Sequence, residues 1–174
     1  VGTDEPVAPS RADATGYLDA VVLALSGLRR LGLEHCASEI LDLETMLPAP
    51  AQGALAVEAR AGECSTALAR AVAVLDDEPT RLAVTAERAL MARLGAGCAA
   101  PVGAWARLRG GGREPRVLAL RAGVTSLDGV QEVGCELSTE LPEVAGGPET
   151  PGDAAAEAVR EAEALGVRAA EVLL

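Results

Sequence analysis

The residue best suited to chemistry is Cys98, which lies in the segment LGAGCAAPVG (residues 94–103). A helical pattern precedes this Gly-rich segment and a strand-like pattern follows it, so we expect the thiol in a loop directly after a helix. The C-terminal end of a helix carries negative partial charge and does not favour a thiolate. The position therefore suits a thiol that forms one permanent bond better than a nucleophile used in every cycle. The other interpretation is a small buried apolar side chain, as many free cysteines are.

Further motifs accompany this segment in a fixed order. VTAERAL (residues 84–90) precedes it directly, and LPAPAQGALAVE (47–58) and GLRRLGL (27–33) lie further upstream. Together these motifs resemble the porphobilinogen deaminase (hydroxymethylbilane synthase) family. The resemblance covers nearly the whole chain and is diffuse beyond residue 123.

The resemblance implies a fold and a domain organisation. Members of the family are three-domain proteins, and this chain resembles the second half of one, without the N-terminal domain and the start of the middle domain. The implied fold is an α+β C-terminal domain, a three-stranded antiparallel sheet with helices, preceded by part of an α/β periplasmic-binding-protein-like domain. The expected divisions are a partial middle domain over 1–52, an interdomain crossing strand over 53–63, and a cofactor-anchoring C-terminal domain over 64–174.

The resemblance also gives Cys98 a role. In the family, the matching cysteine carries a dipyrromethane cofactor through a thioether, and the pyrrole chain grows from that anchor. A thiol suits this chemistry, because loss of ammonia from an aminomethylpyrrole gives a soft electrophilic methylene that sulfur captures readily. The implied activity is that of a transferase in porphyrin and heme biosynthesis, which condenses four porphobilinogen molecules into a linear tetrapyrrole and releases ammonia.

Three polar residues are implied to bind the cofactor and the substrate. Arg30 matches a family arginine that binds carboxylates, and a guanidinium can hold the acetate or propionate arm of a pyrrole with two parallel hydrogen bonds. Arg60 is a second candidate for this role, and Gln52 either contributes to the cleft or steadies the hinge. Each of these residues could instead be a solvated surface residue, and for Arg29 that interpretation is preferred. The neighbours His35 and Cys36 are interpreted as part of a surface loop, since adjacent side chains rarely point at each other.

No catalytic acid can be assigned in this chain. The family's catalytic aspartate belongs to the N-terminal part that the chain lacks, so we expect the chain alone to be inactive. The chain departs from the family pattern at Asp4, where an arginine is usual, and at Ala99, where Ser or Gln is common. The alternative interpretation is therefore a truncated, non-catalytic fragment that binds pyrroles or anions. A purely structural α+β module with an inert Cys98 is a third interpretation.

Composition limits the partners and the compartment. The 174 residues are 49% hydrophobic but include no Phe, one Tyr and one Trp, so Ala, Val and Leu must fill the core. A net charge of −11 argues against nucleic acid and anionic membranes as partners, and no apolar run is long enough to span a bilayer. The four cysteines show no C-x-x-C pair, which favours reduced thiols in a cytoplasm over disulfides or a metal site. We expect no secretory signal, and a monomer when the protein is full length.

The first third of the sequence predicts short strands and a helix between the first two of them. The run over 19–25 predicts a buried strand, and Ser26 opens a helix through Leu33. Residues 40–43 predict another strand, and 53–60 predict the strand that crosses between domains. The stretch before residue 17 is predicted to be irregular.

The remaining two thirds of the sequence predict an antiparallel sheet and the helices beside it. Asp77 and Pro79 are start signals for a helix whose apolar stripe includes Ala86 and Leu90 and which Gly95 ends. Alternating apolar residues and Gly-rich turns predict three antiparallel strands. The expected helices run over 66–75, from a start within 76–79 to residue 94, and over 153–165, where Gly166 interrupts the last one. The expected strands lie near 102–108, 117–121 and 133–137.

Overall fold

The computed structural model describes residues 19–60, 65–97, 100–112, 114–143 and 153–174. The chain divides into two compact units, Val1–Leu41 and Asp42–Leu174. The predicted irregular N-terminus and Cys98 itself lie outside the described residues.

The first unit contains helix α1 (Leu25–Leu31) and a 3₁₀ helix (Glu34–Cys36). Helix α1 ends at Gly32, which adopts the left-handed conformation (φ 71°) that an L side chain disfavours. The helix expected from Ser26 is therefore confirmed, although it ends two residues earlier than Leu33. The strand expected over 19–25 was wrong: residues 19–24 are irregular and Val22 is 63% exposed. A strand needs a pairing partner, and no neighbouring strand accompanies this run among the described residues.

Two further strand predictions fail for the same reason. Residues 40–43 and 53–60 form no strand, and the alternating apolar side chains of the second stretch face solvent, with Leu55 96% exposed. The sequence pattern fits an extended chain, but a strand forms only where a neighbouring backbone completes its hydrogen bonds.

The second unit contains the expected three-stranded antiparallel sheet, in the order β1-β2-β3. Its strands are β1 (Val102–Gly111), β2 (Glu114–Thr125) and β3 (Glu132–Leu141). The register places Ala104 opposite Ala122, and Ala122 opposite Cys135, on the face that carries the core. The opposite face carries polar residues and the single tryptophan, Trp105, over which the Arg107 guanidinium lies 4.8 Å from the ring centroid.

The described part of this unit contains three helices: α2 (Thr66–Val74), α3 (Glu78–Leu94) and α4 (Asp153–Leu173). Asp77 caps α3 by accepting the Thr80 N–H at 3.0 Å, and Gly95 ends it in the left-handed conformation, as the sequence predicts. The expected break at Gly166 was wrong, because α4 continues through it to Leu173. A Cβ at Gly166 would lie 2.8 Å from the Ala89 Cβ and 2.9 Å from the Leu90 nitrogen. Gly166 therefore allows close contact between α3 and α4.

The core lies between the sheet and the helix pair α3 and α4. Small side chains dominate it, and the largest fully buried ones are all leucines. This agrees with the expectation that Ala, Val and Leu replace aromatic residues. The buried apolar residues are Leu82, Ala86, Leu90, Ala104, Ala106, Leu118, Leu120, Ala122, Leu141, Ala158, Ala162, Leu165, Ala169 and Ala170.

Candidate functional site

The segment that carries Cys98 connects α3 to β1. Cys98 and Ala99 lie outside the described residues, and the residues beside them are held by backbone hydrogen bonds. The Ala100 N–H donates to the Gly97 carbonyl at 2.9 Å, and the Thr125 N–H donates to the Pro101 carbonyl at 3.0 Å. The segment is thus tied to the end of β2, next to the start of β1.

A second segment of the predicted site lies against β1. We refer to residues 47–52 as the β1 loop. Its Pro48 carbonyl accepts the Ala104 N–H at 2.9 Å. Leu47 crosses Gly103 so closely that a Cβ there would lie 2.6 Å from the Leu47 Cβ, so this position requires glycine. Gln52 ends the loop with an exposed side chain.

Glu87 joins the β1 loop to strand β1 and was not among the predicted site residues. Its Oε2 accepts the Ala51 N–H at 2.6 Å, and its Oε1 accepts the Ala106 N–H at 2.7 Å. The residue is 7% exposed. The sequence held one signal: Glu87 follows Ala86 within the apolar stripe of α3, where a charged residue must find partners.

Burial raises the pKa of the Glu87 carboxyl above its usual range, while the N–H groups of Ala106 and Ala51 act in the opposite direction. The folded protein therefore holds a proton here at pH values where the unfolded chain has released it. The contribution of Glu87 to stability is fully present below the unfolded pKa and is lost as the pH rises through the raised folded pKa.

We therefore expect the stability advantage of the wild type over Glu87→Gln to decrease as the pH rises through this window. Glutamine has no proton to release there and removes this part of the pH dependence. Urea unfolding followed by circular dichroism, from about pH 4 to about pH 8, measures the difference. A difference between the two proteins that rises with pH would contradict the expected direction.

The predicted arginines are distributed over both units. Arg30 is exposed on α1 in the first unit. Its neighbour Arg29 pairs with Glu34 at 2.8 Å, which raises the pKa of the guanidinium through the hydrogen bond and the opposite charge. That pairing supports the interpretation of Arg29 as a surface residue. Arg60 is exposed in the extended stretch after the β1 loop. Of the predicted site segments, the β1 loop that ends at Gln52 and the segment around Cys98 thus both adjoin β1, and Leu47 of the loop lies against Gly103.

Two kinds of feature are absent from the part of the chain that the structure describes. It contains no cluster of three or more His, Cys, Asp or Glu side chains that could hold a metal ion. None of the helices in these ranges combines the length and apolar character needed to cross a membrane.

Comparison with known proteins gives two family matches in sequence order. Residues 10–67 match the model of the porphobilinogen deaminase dipyromethane cofactor binding domain, and residues 81–174 match the model of the porphobilinogen deaminase C-terminal domain. The second match alone covers more than half of the chain.

Curated relatives carry the same name. The porphobilinogen deaminase of Cutibacterium acnes is 49% identical over 160 residues, which cover 90% of this chain and 45% of the relative. Those of Mycolicibacterium gilvum and Thermobifida fusca are 53% and 48% identical, over 67% and 75% of this chain and 38% and 40% of their own lengths. The chain spans less than half the length of each of these relatives. It belongs to the porphobilinogen deaminase family.

Proposed function

We propose that this chain is the C-terminal portion of a hydroxymethylbilane synthase, a transferase that condenses four porphobilinogen molecules into a linear tetrapyrrole with release of ammonia. The observation that carries the proposal is the succession of the two family matches along the chain. The proposed organisation keeps residues 1–52 as part of a periplasmic-binding-protein-like middle domain, 53–63 as the connection between domains and 64–174 as the cofactor-anchoring domain. The proposed setting is a cytoplasmic monomer when full length, with porphobilinogen as its partner and neither nucleic acid nor membrane.

Cys98 is the proposed attachment point of the dipyrromethane. The Sγ–C bond forms as the C–N bond of an aminomethylpyrrole breaks, and the thiol proton leaves with the amine as ammonia. When bound, the dipyrromethane supplies the terminal pyrrole carbon from which the chain grows. The hydrogen bonds at Gly97 and Pro101 fix the two sides of the segment from which Cys98 extends.

The proposed roles of the other residues are electrostatic. The Arg30 side chain is exposed and forms no ion pair with any residue that the structure describes, so it is available for a carboxylate. Arg60 is the proposed second carboxylate ligand, and Gln52 supplies an exposed amide at the end of the β1 loop. Each guanidinium on its own matches one of the carboxylate arms that every pyrrole carries.

A specific observation also favours the alternative of a fragment that binds without catalysis. Helix α2 makes no contact with another helix or strand among the described elements, and Leu75 just after it is 64% exposed. Such apolar surface is typical of a region that packs against further protein. Because no catalytic acid is assigned in this chain, we expect this chain alone to release no ammonia from porphobilinogen.

The attachment is tested by intact mass. We expect an active protein that contains this chain to exceed its polypeptide mass by two linked pyrrole units, and Cys98→Ser to lose both the added mass and the turnover. Cys36→Ser, which alters an exposed thiol on the other unit, is the matched control and should keep both. An unmodified mass in the active protein, or full activity in Cys98→Ser, would sink the assignment.

Substitution of Arg30 tests the carboxylate site. A charge-assisted contact of this kind is worth about 1.5 to 3 kcal/mol, so Arg30→Ala should weaken porphobilinogen binding by about one to two powers of ten. Arg29→Ala is the control, because it removes only the exposed pair with Glu34. The measurement is the half-saturating porphobilinogen concentration in the active protein. An unchanged value in Arg30→Ala would return Arg30 to the solvated surface.

A further inference from the structure

We propose that Glu87 is a positioning residue, whose carboxylate fixes the β1 loop against β1 and so sets the position of Gln52, the last residue of that loop. The consequence for pyrrole binding rests on the proposed function. The positioning itself rests on the geometry alone.

Glu87 provides a pair of acceptors to two different elements. Its two carboxylate oxygens take N–H groups from separate elements, Ala51 in the loop at 2.6 Å and Ala106 in β1 at 2.7 Å. The carboxylate is thus the link between a loop and a strand that lie far apart in sequence. A glutamine of the same shape offers only one acceptor oxygen and would turn an NH₂ group toward the other N–H.

The opposite end of the loop is held independently of Glu87. Leu47 lies over Gly103, and Pro48 accepts the Ala104 N–H at 2.9 Å. The loop is therefore attached at both ends, at Leu47 and Pro48 by β1 itself and at Ala51 by Glu87. Gln52 follows the Glu87 attachment directly.

The backbone of Ala51 adopts a left-handed conformation. It has φ 62°, and it is the only non-glycine residue with positive φ among those described. An alanine in this left-handed region is strained and persists only where its surroundings determine the conformation. The hydrogen bond from the Ala51 N–H to Glu87 holds the residue in this conformation. We infer that the loop relaxes, and Gln52 moves, when this acceptor is lost.

Site-resolved amide hydrogen exchange on the 174-residue chain tests the proposal. In Glu87→Gln, the amides of residues 51–54 should exchange at least about tenfold faster relative to the amides that pair β2 with β3. Glu161→Gln is the matched control: this partly buried helix glutamate accepts the Thr139 hydroxyl at 3.2 Å, away from the loop. It should leave the loop amides unchanged. If Glu87→Gln folds poorly, Glu87→Asp takes its place. It keeps the charge but is one methylene shorter, so it should show a smaller acceleration of exchange, confined to the loop amides.

A double-mutant cycle separates positioning from a general contribution to stability. Gly103→Ala displaces Leu47 from the other end of the loop without altering Glu87. If both attachments hold one loop, their effects on its exchange will be non-additive. Additive effects, or equal acceleration of the loop and the β2–β3 amides in Glu87→Gln, would overturn the proposal.

Addition of porphobilinogen distinguishes this inference from the proposed function. We expect the substrate to slow exchange at Gln52 in the wild type and not in Glu87→Gln. If porphobilinogen does not change exchange at Gln52 in the wild type while the double-mutant cycle is non-additive, the proposed substrate role of Gln52 is wrong. The positioning role of Glu87 then still stands. If it protects Gln52 equally in both proteins, the positioning role is wrong.

Discussion

Replacing Gly166 by alanine is expected to lower the free energy of unfolding by about 2 kcal/mol or more, although alanine is the better helix former. The added methyl would lie 2.8 Å from the Ala89 Cβ and 2.9 Å from the Leu90 nitrogen, and closer still to the Ala86 carbonyl oxygen. Backbone atoms cannot turn away as a flexible side chain can. Helices α3 and α4 must therefore separate, which opens the core between them.

The control is Gly27→Ala. Gly27 also lies within a helix, α1, but a Cβ there meets nothing within 4 Å. This substitution should be neutral or stabilise α1 by up to about 1 kcal/mol. Urea unfolding followed by far-ultraviolet circular dichroism measures both variants. If Gly166→Ala were as stable as the wild type, the close contact between α3 and α4 would be disproved.

Replacing Arg116 by methionine is expected to have a comparable effect, a loss of about 2 to 4 kcal/mol. The Arg116 Nη2 donates to the Glu78 Oε2 at 2.8 Å, and Nη1 donates to the Pro142 carbonyl at 2.9 Å. The Arg116 side chain is 8% exposed and that of Glu78 is 33% exposed, so removal of the arginine leaves a half-buried carboxylate and a carbonyl without this donor. The partial exposure of Glu78 keeps the loss below that of a fully buried pair.

Arg81→Met provides the comparison for this prediction. Arg81 pairs with Asp76 at 3.1 Å, but both side chains are exposed, so the loss should be at most about 1 kcal/mol. Urea unfolding measures the loss of unfolding free energy in both variants. Equal losses in Arg81→Met and Arg116→Met would show that burial does not strengthen the Arg116–Glu78 pair.

The parts of the fold that local chemistry determines were predictable from the sequence. Asp77 and Gly95 set the limits of α3 because capping depends on residues within a single turn. The three strands followed from alternating apolar residues, since each strand has its partner within the same unit. The family resemblance, carried by motifs around Cys98, agrees with the two family matches.

The failures concern properties that depend on distant parts of the chain. The sequence predicts a helix break at Gly166 because glycine weakens a helix locally. Its contact with Ala89 arises only when α3 packs on α4. The runs over 19–25 and 53–60 have strand-like composition, but no described strand pairs with them. Glu87 was missed because its partners are backbone N–H groups, which carry no sequence signature.

The β1 loop and Glu87 have a consequence for self-association. Strand β1 is an edge strand, and unpaired N–H groups along such an edge invite a strand from another molecule. Here the N–H groups of Val102, Ala104 and Ala106 are taken by the Ala100 carbonyl, the Pro48 carbonyl and the Glu87 carboxylate. The β1 loop and Glu87 thus occupy the N–H groups of Ala104 and Ala106, so the first half of this edge is closed to a strand from another molecule.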